Sequence, residues 1–207
     1  MTGRAARGMG RTHVVVIDGT LSQLDEGRET NAGLLYKLLQ QVGQTRAQTF
    51  YYDRGIQGSG ISGWINAASG RGINRSIRTA YGTLCSRYRP GDRIMLFGFS
   101  RGAYAVRSLA GLIGRIGLLH PNHATERRIF SAFRHYQAVR LTPAARAFRD
   151  AHCQTEIPID VLGVWDTVKS LGLPYPILNR LAPMATEFHD HALSNAIRNA
   201  YHAHAID

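Results

Sequence analysis

The chain has 207 residues, 44% of them hydrophobic, with 25 Lys and Arg against 14 Asp and Glu for a formal net charge of +11. That length fits one domain with a sizeable core, no run approaches the roughly 18 apolar residues of a membrane-spanning helix, and two cysteines exclude a disulfide scaffold. The arginines are scattered along the chain and no nucleic-acid motif with interleaved aromatics occurs, so nucleic acid is not an expected partner, whereas a basic surface suits an anionic membrane surface or an acidic partner protein.

Residues 1–12 are basic and lack the small-residue cleavage site of a signal peptide, so they read as a disordered leader ahead of one domain over 13–207, and Sec export is not expected. His13 to Ile17 is a β-branched run that predicts a buried parallel strand, ending in Asp18-Gly19-Thr20. In open α/β sheets ligands bind at that carboxyl edge. The same string is shared with phosphatases of the haloacid dehalogenase class, whose Asp-x-Asp-Gly-Thr uses its first Asp as nucleophile. Val16 occupies that position here and cannot form an aspartyl phosphate, so that Mg²⁺-dependent reading needs a different nucleophile.

Leu34, Leu35, Leu38, Leu39 and Val42 keep one face of a helix, capped by Thr30 or Asn31, and Thr49 to Asp53 forms the next strand. Six glycines between Gly55 and Gly72, with Trp64 and Ile65 among them, predict a long connection that serves as a lid, a substrate loop or a plain surface loop. Without a GK[ST] it is not a phosphate-binding P-loop. Ile73, Ile77, Ala80, Tyr81, Leu84 and Tyr88 mark a helix that stops at Arg89-Pro90-Gly91-Asp92.

The central stretch follows. Ile94 to Phe97 has the composition of a buried strand and leads into Gly98-Phe99-Ser100-Arg101-Gly102, after which Val106, Leu109, Ala110, Ile113 and Ile116 recur at helical spacing. A strand that reverses straight into a helix strains the residue at its apex and requires nearly side-chain-free neighbours two before and two after. Gly98 and Gly102 meet that need. The Ser100 hydroxyl is pushed clear of the backbone, in the manner of the nucleophile elbow of α/β-hydrolases, and the Arg101 N–H becomes one donor of an oxyanion hole. A second donor comes from the loop after an earlier strand, at Gly19 or Thr20; the competing reading is that Asp18 and Thr20 only cap the turn.

Two arginine-rich segments, about Thr125 to Arg140 and Pro143 to His152, predict inserted helices, either a cap over the site or a solvated face. Cys85 and Cys153 both fall in segments that read as helical and are expected to be free thiols. Ile159 to Trp165 is another buried strand and ends in Asp166, an acid in the place that follows the Ser, acid, His order of α/β-hydrolases, with a cap on the following turn as the competing reading. Gly172 to Pro183 is irregular. A final helix is expected from Phe188 through Leu193, Ile197, Ala200 and Tyr201. His189, Asp190 and His191 form one short string that helix-start polarity explains, so no metal is expected. Of the nine histidines, His202 and His204 lie after Asp166; His204 shares the apolar face, and His202 is the candidate base, with a purely structural role as the alternative.

LFGFSRGAYAVRSLAGLIGRIGLL, with IDGT near the start, YRPGD before the elbow strand, VWDTV after it and FHDHALSNAIRNAYHAHAID at the end, resembles the α/β-hydrolase domain of bacterial type VI secretion phospholipase effectors and their uncharacterised relatives. The resemblance covers Val14 to Asp207. It implies an α/β fold with a mainly parallel central sheet and helices on both faces, and a Ser/Asp/His esterase or phospholipase acting on lipid or other acyl esters without a cofactor. Ser100 matches the nucleophile and Asp166 the acid. It also implies residence in the cytoplasm of the producing bacterium and delivery by a non-Sec secretion system. In that family the catalytic His lies in a segment resembling G-x-H-S-D-x-G-G-G after another strand, which these 207 residues do not contain. Three readings follow: a hydrolase lacking its C-terminal strand and His loop, a divergent enzyme using His202, or an inactive domain retained for binding lipid or protein. Loss of the His from a serine triad typically costs on the order of a millionfold in turnover, so an intact His-less form would be nearly inert.

Overall fold

The computed structural model describes residues 10–19, 22, 24–55, 71–138, 140–165 and 196–204. Among the described residues five strands, β1 (Thr12–Ile17), β2 (Gln48–Asp53), β3 (Arg93–Phe99), β6 (Val161–Trp165) and β7 (Ala200–Ala203), form a parallel sheet in the order β2-β1-β3-β6-β7. Short strands β4 (Leu118–Leu119) and β5 (Cys153–Gln154) pair antiparallel beside it. The helices among the described residues are α1 (Asn31–Val42), α2 (Arg71–Arg87), α3 (Arg101–Ile116), α4 (Glu126–Gln137) and α5 (Pro143–His152).

Right-handed crossovers dictate the layers. The step from β1 to β2 runs toward one edge of the sheet, and the steps from β2 to β3 and β3 to β6 run the other way, so α1 falls on one face and α2 and α3 on the opposite one. The burial pattern follows. Val15, Ile17, Ile94, Leu96, Leu162 and Val164 join the helices α2 and α3 in the main core, while Val14, Val16 and Ala32 form a smaller cluster under α1. Helices α4 and α5 bear out the arginine-rich reading of helices, but α4 lies across α2 and α3 as an outer layer, with Ile129 against Gly82 and Tyr136 against Gly111.

Three expectations are corrected. The final helix does not extend through Tyr201: residues 200–203 pair with Leu162 to Trp165 as strand β7, and Ile197 bridges Ile159. The spacing of Leu193, Ile197 and Tyr201 imitates a helix, but the open edge of β6 supplies backbone partners that outweigh so weak a signal, as in the bond from the Leu162 N–H to the Asn199 carbonyl (2.9 Å). Residues 188–195 lie outside the described ones. On α1, Thr30 is the cap, accepting from the Gly33 N–H, but only Leu35 and Leu39 of the expected face pack inward. Small Ala32 and Gly33 seat the first turn against the sheet, which turns Leu34, Leu38 and Val42 outward, 46%, 59% and 67% exposed. Cys153 opens β5 rather than sitting inside a helix; both cysteines are free and buried.

The sheet already begins at Thr12, and the Arg11 N–H donates to Asp92 Oδ1 (2.8 Å). Residues 1–9, and 56–70 of the glycine-rich connection, lie outside the described residues.

Candidate active site

Register sets the carboxyl edge. Ile17 stands level with Asp53 and Gly98, and Phe99 with Trp165, so β1, β2, β3 and β6 end together. Ser100, the next residue along β3, has φ 54° and ψ −116°, a conformation that costs a non-glycine residue roughly 1–3 kcal/mol. Helix α3 outweighs that strain: Val106, Leu109, Leu112, Ile113 and Ile116 are buried, and each such side chain contributes about 1.5–3 kcal/mol. The turn is also pinned by hydrogen bonds, the Ser100 N–H donating to the Trp165 carbonyl (3.0 Å) and the Ala103 N–H to the Ser100 carbonyl (3.1 Å).

Both flanking glycines are sterically required. A Cβ on Gly98 would collide with the Gly102 carbonyl, and one on Gly102 would collide with the carbonyls of Ile17 and Asp18. Ser100 is half-buried and its side chain makes no capping bond to α3, so the hydroxyl is not consumed by the helix it precedes. Arg101 begins α3, whose first-turn N–H groups have no intrahelical acceptor. Its half-buried guanidinium is held below the ordinary arginine range by burial.

Asp18 is a hub that sequence reasoning missed. It is 1% exposed, and its Oδ1 accepts from the Gly19 N–H (2.7 Å), the Ser22 hydroxyl (2.8 Å) and the Thr30 hydroxyl (2.7 Å). Its Oδ2 accepts from the Tyr52 hydroxyl (2.7 Å), and Tyr52 stacks on Tyr36 with centroids 4.1 Å apart. Burial, followed by that bond to Asp18, pushes the Tyr52 hydroxyl well above the ordinary tyrosine range. Thr30 caps α1 with the same oxygen, which ties the helix start to the end of β1. The one signal available in advance was the Thr30 cap twelve residues after Asp18.

The structure brings Ser100, Arg101, Gly19 and Trp165 to one edge, and the Gly19 N–H is already engaged by Asp18. Thr20 and Asp166 lie outside the described residues; Asp166 follows Trp165 directly in the chain. The structure does not bring His202 to Ser100. His202 stands inside β7, level with Val164 and Gly98, two strands and so roughly 10 Å from the elbow strand, and its ring lies 3.7 Å from that of His204. Among the described residues no three His, Cys, Asp or Glu side chains converge to hold a metal, and His189, Asp190 and His191 lie outside them. A cleft of about 550 Å³ opens at the far end of α3, lined by Ile113, Arg115, Arg149, Glu156 and Arg198 among others; none of the site residues borders it.

An uncharacterised protein of Saccharomyces cerevisiae is 27% identical over 224 residues, an alignment that takes in 96% of this chain. The chain spans 31% of the length of that relative. No solved structure matches. The sequence profile described as type VI secretion (T6SS), phospholipase effector Tle1-like, catalytic domain matches residues 11–207, so the chain belongs to that family, and the resemblance read from its separated motifs is borne out.

Proposed function

We propose that this domain hydrolyses acyl esters of lipids through a Ser100 acyl-enzyme. The family supports a phospholipase-type hydrolase. The observation behind the serine mechanism is the strained backbone of Ser100, bonded to the carbonyl of the residue that immediately precedes Asp166. In this mechanism Ser100 Oγ attacks the ester carbonyl while a histidine takes its proton. The tetrahedral oxyanion is held by the Arg101 N–H and by the turn at 19–20, where Thr20 has the stronger claim because Asp18 engages the Gly19 N–H. Collapse expels the alcohol, protonated by the imidazolium, and water then cleaves the acyl-enzyme with the same base. Asp166 orients that imidazole.

The test is ester hydrolysis by the wild-type chain against Ser100→Ala and Asp166→Asn, with fluorophosphonate labelling of Ser100. A loss on the order of a thousandfold or more in Ser100→Ala is expected. Equal rates for wild type and Ser100→Ala end the reading.

A second reading keeps the fold without the chemistry, an inactive domain that binds lipid or an acidic protein. Wild type and Ser100→Ala equally inactive, with lipid binding intact, is its signature. The phosphatase reading draws no support from the site, because both oxygens of Asp18 are engaged by donors.

A further inference from the structure

Folding gathers arginines that are far apart in sequence onto the outer face of α2 and α4. On α4, Arg127, Phe130 and Arg134 recur three and four residues apart and share one stripe. All three are exposed, and Phe130 shows 47% of its surface to solvent. From α2, Arg78 places its guanidinium carbon 5.2 Å from the centre of the Phe130 ring, and Arg75, one turn earlier, is exposed as well. Among the described residues none of these four arginines is paired with a carboxylate. The one acid of α4, Glu126, sits in its first turn, where it complements the helix dipole.

An apolar ring held at the surface and flanked by unneutralised guanidiniums on two packed helices matches the boundary of an anionic bilayer. The ring enters the headgroup region while the guanidiniums pair with lipid phosphates. Nucleic acid fits less well, since base stacking needs open ring faces and Arg78 already covers one. We propose that the α2–α4 face is a docking surface for an anionic phospholipid bilayer, with Phe130 as its anchor and Arg75, Arg78, Arg127 and Arg134 as phosphate contacts. This goes beyond the Ser100 chemistry and does not depend on it.

The test is co-sedimentation of the 207-residue chain carrying Ser100→Ala, so that lipid is not consumed, with vesicles of phosphatidylcholine alone or mixed with phosphatidylglycerol. Binding is expected only to the mixed vesicles. Arg127→Gln with Arg134→Gln weakens it about 25-fold, at roughly fivefold per charge removed. Phe130→Ser weakens it severalfold. A control pair, Arg46→Gln with Arg146→Gln, removes the same charge from exposed positions outside both helices and leaves binding within about twofold. Circular dichroism and thermal melts confirm that each variant is folded. The proposal is overturned if neither vesicle binds, if neutral vesicles bind as well, or if the control pair loses as much as the patch pair. It is equally overturned if a labelled oligonucleotide or an acidic peptide, rather than the vesicle, binds in a patch-dependent way.

Discussion

Position 102 lies where the end of β1 and the start of α3 approach so closely that no side chain fits. Gly102→Ala is therefore expected to force the helix away from the sheet, with a loss of about 1–3 kcal/mol in urea unfolding and, on the serine mechanism, a larger fractional loss of ester hydrolysis. Asp18 acts by a different cause. Asp18→Ala leaves the Gly19 N–H and three hydroxyls without their acceptor and should cost about 3 kcal/mol or more, whereas Tyr52→Phe removes one donor and should cost about 1 kcal/mol; paired urea titrations check the ratio. The strained turn at Ser100 was legible because its requirements are local, two glycines and an apolar run on each side. The Asp18 hub was not, because its partners come from the loop after β1, the cap of α1 and β2, and meet only after those elements pack.

Between elements, the opposite edge of the sheet is tied by His13, buried on β1. Its Nε2 pairs with Asp92 Oδ2 (2.9 Å) at the entry to β3 and its Nδ1 with the Thr49 hydroxyl (2.8 Å) on β2. Burial alone would raise the Asp92 carboxyl, but the bonds from His13 and from the Arg89 and Arg11 N–H groups more than offset it and hold it below the ordinary aspartate range. The unfolded chain thus binds the proton more readily. The stability this group contributes is present above the ordinary aspartate pKa of about 4 and is lost as pH falls through the lower folded value. Urea midpoints measured downward from neutral pH should show that loss, and Asp92→Asn should remove this component of it. At this scale the parallel strands and most helices were legible from periodicity. Strand β7 was not, since four exposed residues carry no inward-outward alternation and owe their form to the neighbouring strand. The outward turn of Leu34, Leu38 and Val42 was hidden too, because the seat of α1 is set by Ala32 and Gly33.

For the molecule as a whole, the charge excess reads as diffuse along the sequence, yet α2 and α4 concentrate part of it around Phe130, an arrangement that composition cannot reveal. The core has a simple chemical probe. Burial pushes the Cys85 and Cys153 thiols up to about 12, so neither should react with a disulfide reagent at neutral pH in the folded protein, and both should react once urea unfolds it. Rapid labelling of either thiol in the native state would show that the helical layer opens locally. The hydrogen bond from Ser100 to the end of β6 also bears on biosynthesis. Its acceptor is translated 65 residues after its donor, so a ribosome that has not yet passed Trp165 displays a serine whose turn lacks its clamp. Whatever chemistry that hydroxyl performs is thereby tied to the emergence of β6 and not of the elbow alone.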